Sequence, residues 1–218
     1  MSFYENGIET KKRILAACRK LFYAKGYQHT TFKDICAEAQ VNQSSIHYHF
    51  KSKEALLAII YEETISKNNQ EVERISPKNT HPLTKYFLST SLYIYKLLKD
   101  KSYFRLNLDA EKLLATDHFD NQINILASGI YAKDKNYVVI SENDFFSIMG
   151  IAGFDHSFLI YLSKEDSIKD HKQLTAYTID IYRRILKIDD DTFNLIMDQL
   201  RPLEAQVKWD QLDTSFEM

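Results

Sequence analysis

Apolar residues recur at helical spacing along almost the whole chain. In the first segment Ile14, Ala17, Cys18, Leu21 and Phe22 follow the i, i+3, i+4, i+7, i+8 pattern of one buried face. Lys11, Lys12, Arg13, Arg19 and Lys20 take the remaining positions. The pattern predicts a helix over about 8–24, with Gly26 as its stop. A second helix opens at Thr31, whose hydroxyl can cap free N–H groups, and Asp34 three residues on favours the positive helix end. Ile35 and Ala39 face inward, and a turn falls near Gln40 and Val41. Asn42 caps a short third helix over about 43–50. Ser52 caps a fourth, with Glu54 in its first turn, reaching about Ile75.

The loop SPKNTHP ends the fourth helix, and Pro82 suits the first position of a fifth over about 82–98. Weaker helical patterns follow at about 102–115 and 117–131. The segment KDKNYVVI reads as an irregular connection, with a short strand as the other reading. Ser141 to Asp144 start a helix to about Leu162 that is apolar over most of its circumference, and Gly150 and Gly153 would admit another backbone closely. Ser167 caps a helix to about 187. The last helix carries Phe193, Ile196, Met197 and Leu200, and Pro202 is expected to stop it, leaving a loosely packed tail. The prediction is an all-α protein: an N-terminal three-helix helix-turn-helix domain (1–52), a larger C-terminal helical domain (53–203), and a tail (204–218).

Composition agrees with that reading. Only 5 Gly and 3 Pro in 218 residues leave few turns, and 44% hydrophobic residues supply a core. The net charge of −2 looks wrong for a nucleic-acid binder until it is divided. Residues 1–56 hold nine Lys/Arg against five Asp/Glu, a balance of +4, and the remainder carries −6. The basic excess sits where phosphate neutralisation would need it. Cys18 and Cys36 have no metal-ligand spacing and read as small core residues. No signal-like leader and no run of 18 apolar residues occurs, so the expected location is cytoplasmic, without a membrane partner.

The third helix carries the chemistry. Ile46 and Phe50, four apart, would anchor one face. Gln43, Ser44 and His47 project elsewhere, and Gln can bond the N6/N7 edge of adenine while Ser reads bases more loosely. Tyr48, His49 and Lys53 suit phosphate oxygens, which set position rather than sequence. His47 and His49, two apart on a helix, point in different directions, so no metal is expected there, and no cofactor. No Glu-x-x-His pair, Gly-x-Ser-x-Gly elbow or phosphate loop points to an enzyme.

The stretch TTFKDICAEAQVNQSSIHYHFKSKEAL resembles the DNA-binding signature of the tetracycline-repressor (TetR) family of bacterial regulators. The matching residues are Thr30-Thr31, Asp34-Ile35-Cys36, Val41, the Ile46–Phe50 block and Ser52-Lys53-Glu54-Ala55-Leu56. The resemblance covers about 60 N-terminal positions and implies a homodimer of two-domain, all-α subunits on a palindromic double-stranded DNA operator, released when a small molecule binds. By position it implies base contacts from Gln43, Ser44, Ser45 and His47. It implies phosphate contacts from Thr31, Lys33, Tyr48, His49 and Lys53. Gln40 stands where the family usually has Gly, which costs strain if its φ is positive. His47 replaces the commoner Tyr and, as a histidine, could make DNA affinity mildly pH-dependent.

In the larger domain the candidate ligand-binding residues are Tyr93, Phe104, Phe119, Phe154, His156 and Phe158, an aromatic set suited to an apolar or aromatic effector. Core packing is the competing account of each. Asp155 and His156 need partners inside so apolar a helix: a ligand, a structural hydrogen bond across a dimer interface, or solvent. Arg105 could meet an acidic ligand or a surface ion pair. The expected function is a ligand-responsive transcriptional regulator, a repressor released from DNA by a small molecule. The alternative is a DNA-binding regulator without an effector.

Overall fold

The computed structural model describes residues 3–114, 142–164 and 170–216. They form α1 (Phe3–Lys25), α2 (Phe32–Ala39), α3 (Gln43–His49), α4 (Lys53–Ile75), α5 (Pro82–Lys99), α6 (Lys101–Leu114), α7 (Glu142–Leu162), α8 (His171–Ile185), α9 (Asp190–Gln206) and a short 3-10 turn (Trp209–Gln211). There is no strand among the described residues. The helix expected over 117–131, the KDKNYVVI segment, the Ser141 and Ser167 starts and Phe119 lie outside the described residues.

These residues divide into two compact units. The first takes in 3–66, 100–114 and 213–216; the second takes in 67–99, 142–164 and 170–212.

In the first unit Ile14, Ala17, Cys18 and Phe22 of α1 are buried, as are Ile35 of α2, Ile46 of α3, Phe50, and Leu56, Leu57 and Ile60 of α4. Arg19, expected on the polar side of α1, is instead buried: its Nε and Nη2 donate to Glu63 Oε2 and Oε1 at 2.8 and 2.7 Å. This bidentate geometry is the strong form of an Arg–carboxylate pair. Gly26 ends the chain's run in α1 with φ +87°, and its N–H donates to Phe22 O at 3.0 Å. A Cβ there would fall 2.8 Å from Arg105 Nε. Arg105 uses the opening: its Nη2 donates to Tyr23 O at 2.7 Å, which caps the end of α1.

The chain's end is not loose. Phe216 is buried, with its ring 5.1 Å from that of Tyr23, and Thr214 Oγ1 and the Tyr23 hydroxyl both donate to Asp100 Oδ2 at 2.7 Å. Burial pushes the Asp100 carboxyl upward, but these donors and the Tyr103 and Ser102 N–H groups outweigh it and hold it below the usual range.

In the second unit Phe87, Leu88 and Leu92 of α5 meet Ile148 and Ile151 of α7, Ile179 and Tyr182 of α8, and Ile196, Leu200 and Leu203 of α9. Asp155 of α7 accepts a hydrogen bond from the Tyr182 hydroxyl of α8 within the same chain. The α9 helix runs through Pro202 rather than stopping there. Proline removes one intrahelical N–H, a cost that buried Leu203 offsets by anchoring the last turn. Gln206 Nε2 donates back to Pro202 O at 3.1 Å and closes it.

Candidate nucleic-acid interface

The start of α2 is fixed by reciprocal bonds. Thr31 Oγ1 accepts from Asp34 N at 3.2 Å, while Asp34 Oδ2 accepts from Thr31 N at 2.7 Å and from the Thr31 hydroxyl at 2.6 Å. This is a capping box, satisfying two N–H groups that the helix cannot. Lys25 Nζ stands 2.7 Å from the same carboxylate. That contact first, and the Thr31 bonds after it, hold the Asp34 carboxyl well below the usual range.

The turn that follows uses left-handed backbone. Gln40 has φ +53°, ψ +49°, and its N–H donates to Cys36 O. Arg13 supports it from α1: Nε donates to Ala39 O at 3.1 Å and Nη2 to Gln40 O at 2.8 Å. Sequence reasoning missed this role. Arg13 was visible only as one more cation on a polar face, and its acceptors lie 26 and 27 residues away.

Asn42 then organises α3. Its Oδ1 accepts from Ser45 N at 2.8 Å, from Ser45 Oγ at 2.8 Å and from Ser44 Oγ at 2.7 Å. Ile46 and Phe50 are buried, so the helix can rotate only by exposing both. On the outward side Gln43, Ser44 and His47 are exposed, Ser45 and His49 are half-buried, and Tyr48 is 83% exposed. Gln43 Nε2 lies 3.2 Å from His47 Nε2, and the His47 ring packs 5.1 Å from Phe32. His49 stands edge-on to Tyr48 at 5.0 Å. Thr31 and Lys33 are exposed at the start of α2.

Lys53 is placed differently from the other expected contacts. Its ammonium donates to Tyr27 O at 3.1 Å and Thr30 O at 3.0 Å, and it lies 4.1 Å from the centre of the Tyr27 ring. Two carbonyls and a π face thus hold the group inward. The Tyr27 hydroxyl donates to Glu54 at 2.7 Å; burial first, and then this acid, push the phenol upward.

Of the six expected ligand residues, five lie among the described residues and Phe119 does not. Phe104 belongs to the first unit, while Tyr93, Phe154, His156 and Phe158 belong to the second. Phe154 and Phe158 stack at 5.6 Å, and Phe154 stands edge-on to Tyr182 at 6.0 Å. A cleft of about 420 Å³ lies elsewhere in the second unit, between α8 and α9, and none of the four expected ligand residues described in that unit lines it. Among the described residues no group of three or more His, Cys, Asp or Glu is placed to hold a metal ion. No helix among them is long and apolar enough to cross a membrane.

A short exposed polar helix, clamped by two buried anchors and set by a tight turn behind a capped partner, is a helix-turn-helix head. Residues 14–60 match the family model described as bacterial regulatory proteins, tetR family. The chain is similar to an uncharacterized HTH-type transcriptional regulator of Bacillus subtilis (strain 168), YuxN, with 27% identity over 112 residues, covering 51% of this chain and 38% of that one. The chain spans between 23% and 38% of the length of the first curated relatives it matches. The fold is similar to a tetR-family transcriptional regulator from Pectobacterium atrosepticum, with TM-score 0.58 and 20% identity, covering 85% of this chain and 96% of that one. It is also similar to the SmeT–triclosan complex, with TM-score 0.55 and 18% identity, covering 80% and 90%. At these identities the solved structures establish the fold and nothing finer. The family match falls on the helix-turn-helix head, residues 14–60, which carries the DNA-binding segment of the tetR family of bacterial regulatory proteins. The curated relatives it matches are named as HTH-type transcriptional regulators.

Proposed function

We propose that this protein is a ligand-responsive transcriptional repressor that reads a palindromic operator as a homodimer in the cytoplasm. The observation that carries the reading is α3, whose buried Ile46 and Phe50 hold Gln43, Ser44 and His47 outward in one orientation. A rigid presentation of hydrogen-bonding side chains is what major-groove readout needs. Gln43 and His47 take base edges, with Ser44 and Ser45 contributing more weakly because Asn42 already engages their hydroxyls. Thr31, Lys33, Tyr48 and His49 take phosphates. Lys53 serves the site by holding the turn before α2, since its ammonium is already engaged there.

Pairing of two copies is supported by the exposed side of α7. Phe146 (66% exposed), Met149, Gly153 and Tyr161 (53%) lie along it, with Tyr177 (62%) on α8. A Cβ at Gly153 would meet nothing within 4 Å, so a second backbone has room to approach. So much exposed apolar surface favours a partner. Two-fold pairing sets the two α3 helices about 34–36 Å apart, one DNA turn. The effector reading draws support from the α8–α9 cleft and from a fold neighbour solved with triclosan.

The test is selection of bound DNA from a random pool. The expected result is an inverted repeat, with Gln43→Ala and His47→Ala relaxing specificity at fixed positions of each half-site. Recovery of no shared sequence would overturn the reading.

A further inference from the structure

The Asn42 side chain fixes which hydrogen-bond partners α3 can take. Its Oδ1 lies 2.8 Å from Ser45 N. A backbone N–H only donates, so the Asn42 atom it meets is the amide oxygen and not the nitrogen. That oxygen carries no proton. The two serine hydroxyls beside it, Ser44 Oγ at 2.7 Å and Ser45 Oγ at 2.8 Å, are therefore both donors to it. A hydroxyl has a single proton, and in both serines Asn42 engages it. What the two oxygens keep for other partners is lone pairs.

Gln43 adds to the same polarity. Its amide nitrogen, 3.2 Å from His47 Nε2, only donates, so the ring nitrogen accepts and the ring proton sits on Nδ1. Gln43 Oε1 stays outside that bond as a further acceptor. No Lys or Arg lies on α3, so the commonest guanine contact, a bidentate cation on O6 and N7, is missing from it.

DNA offers few partners to such a face. Phosphate oxygens accept. In the major groove guanine N7 and O6, adenine N7 and thymine O4 accept as well. Only two groups donate there, the adenine N6 and cytosine N4 amines. An outward oxygen whose own proton is engaged can bond only these. Ser44 is exposed and Ser45 half-buried, so Ser44 is the better placed to reach the groove.

We infer that Asn42 is a positioning residue that sets specificity: by taking both serine protons it makes Ser44 an acceptor that selects a groove-facing amine, adenine N6 or cytosine N4, in each half-site. This rests on the regulator reading above and deepens it at the same helix. Methylation of that amine on its groove side closes the half-site to this protein.

The experiment uses the full chain and the operator recovered from the random pool. Each adenine of a half-site is replaced in turn by 2-aminopurine, which still pairs with thymine but carries its amine in the minor groove. Each cytosine is replaced by N4-methylcytosine, whose methyl group stands where the groove-facing proton was. Affinities are read by fluorescence anisotropy at one salt concentration. One replacement per half-site is expected to weaken the wild type about five-fold, the worth of one hydrogen bond. At that position Ser44→Ala should bind parent and replaced DNA alike. Asn42→Gly should shrink the ratio, because glycine still suits a helix N-cap while the freed hydroxyl can turn and donate to the acceptors that remain. A role in stability alone would weaken both DNAs equally and preserve the ratio. An operator indifferent to every replacement, or a ratio that survives undiminished in either variant, overturns this inference and leaves the regulator reading standing. A pool that yields no shared sequence overturns that reading and the inference with it.

Discussion

Gln43 and His47 touch each other before either could touch DNA: the Gln43 amide nitrogen lies 3.2 Å from His47 Nε2, one helical turn away. The pair presents its remaining amide oxygen and ring edge as one unit, braced behind by Phe32. Removing either side chain frees the other to rotate. Gln43→Ala and His47→Ala should each cost about 1–3 kcal/mol on the selected operator. The double variant should cost less than the sum, because residues in contact are coupled. A double-mutant cycle by fluorescence anisotropy measures this, and strict additivity would show that the contact does not organise the reading surface.

Lys53 and Lys33 should separate two ways of losing DNA. Lys53 holds Tyr27 O and Thr30 O, so Lys53→Met should lower the melting temperature and weaken every DNA sequence together. Lys33 is exposed. Lys33→Gln should leave melting unchanged and reduce the slope of log K against log salt by about 1, as expected for one lost phosphate contact. Melting curves and salt titrations on both variants decide the assignment. An unchanged Lys53→Met melting temperature would return that residue to the phosphate set.

Gln40 sits in left-handed backbone, where a side chain costs roughly 1 kcal/mol. Gln40→Gly relieves that strain and loses nothing across the turn, since Arg13 bonds the backbone carbonyl of residue 40 and not its side chain. The gain is tempered by the greater freedom of Gly in the unfolded chain. A net rise in stability of up to about 1 kcal/mol is expected, and Gln40→Val should fall by more than that, because a β-branched side chain suits positive φ least. Urea unfolding of the three proteins followed by circular dichroism tests the order.

What could be read in advance was what is local in sequence. The Thr31–Asp34 box, the Asn42 cap and the Ile46–Phe50 anchors all join residues three or four apart, a spacing that helical geometry turns directly into contact. Arg13, Arg19 and Lys53 look alike in sequence, as cations on polar faces. Only the fold shows that Arg13 and Lys53 cap backbone 23 to 27 residues away and that Arg19 grips Glu63, 44 residues on. Arg105 and Phe216 settle on Tyr23 from much further along the chain. Pro202 misleads for the opposite reason. Proline's local preference argues for a helix end, and burial of Leu203 one residue later overrides it. The ligand residues were the least legible, since aromatic composition alone does not distinguish a packed core from a pocket wall.

Asp34 ties the reading head to pH. Its folded-state carboxyl is held well below the usual range, chiefly by Lys25 and then by Thr31. In the unfolded chain an Asp titrates near 3.9. A depressed folded value means the unfolded state takes up protons first as acid is added, so the carboxylate stabilises the fold above about pH 4 and less at every step below it. Wild type should therefore melt above Asp34→Asn at pH 7, and the gap should narrow as the pH is lowered through 4 toward 2. Paired thermal melts across that range check the sign. A gap that stays constant across that range would mean the capping box draws its strength from geometry and not from charge.

The two cysteines should differ sharply in reactivity. Cys18 of α1 is fully buried, and that burial pushes its thiol up to about 12, against a smaller opposing pull from Arg19. Reaction needs the thiolate and an approach path, and Cys18 has neither in the folded state. Cys36, on α2, is half-buried and retains some access. Iodoacetamide at pH 8 should label Cys36 first, and Cys18 only once denaturant opens α1 from its neighbours. Peptide mapping by mass spectrometry reads the two sites separately. Labelling of Cys18 at a comparable rate in native buffer would mean that α1 opens from the head far more often than its buried face and the Arg19–Glu63 pair allow.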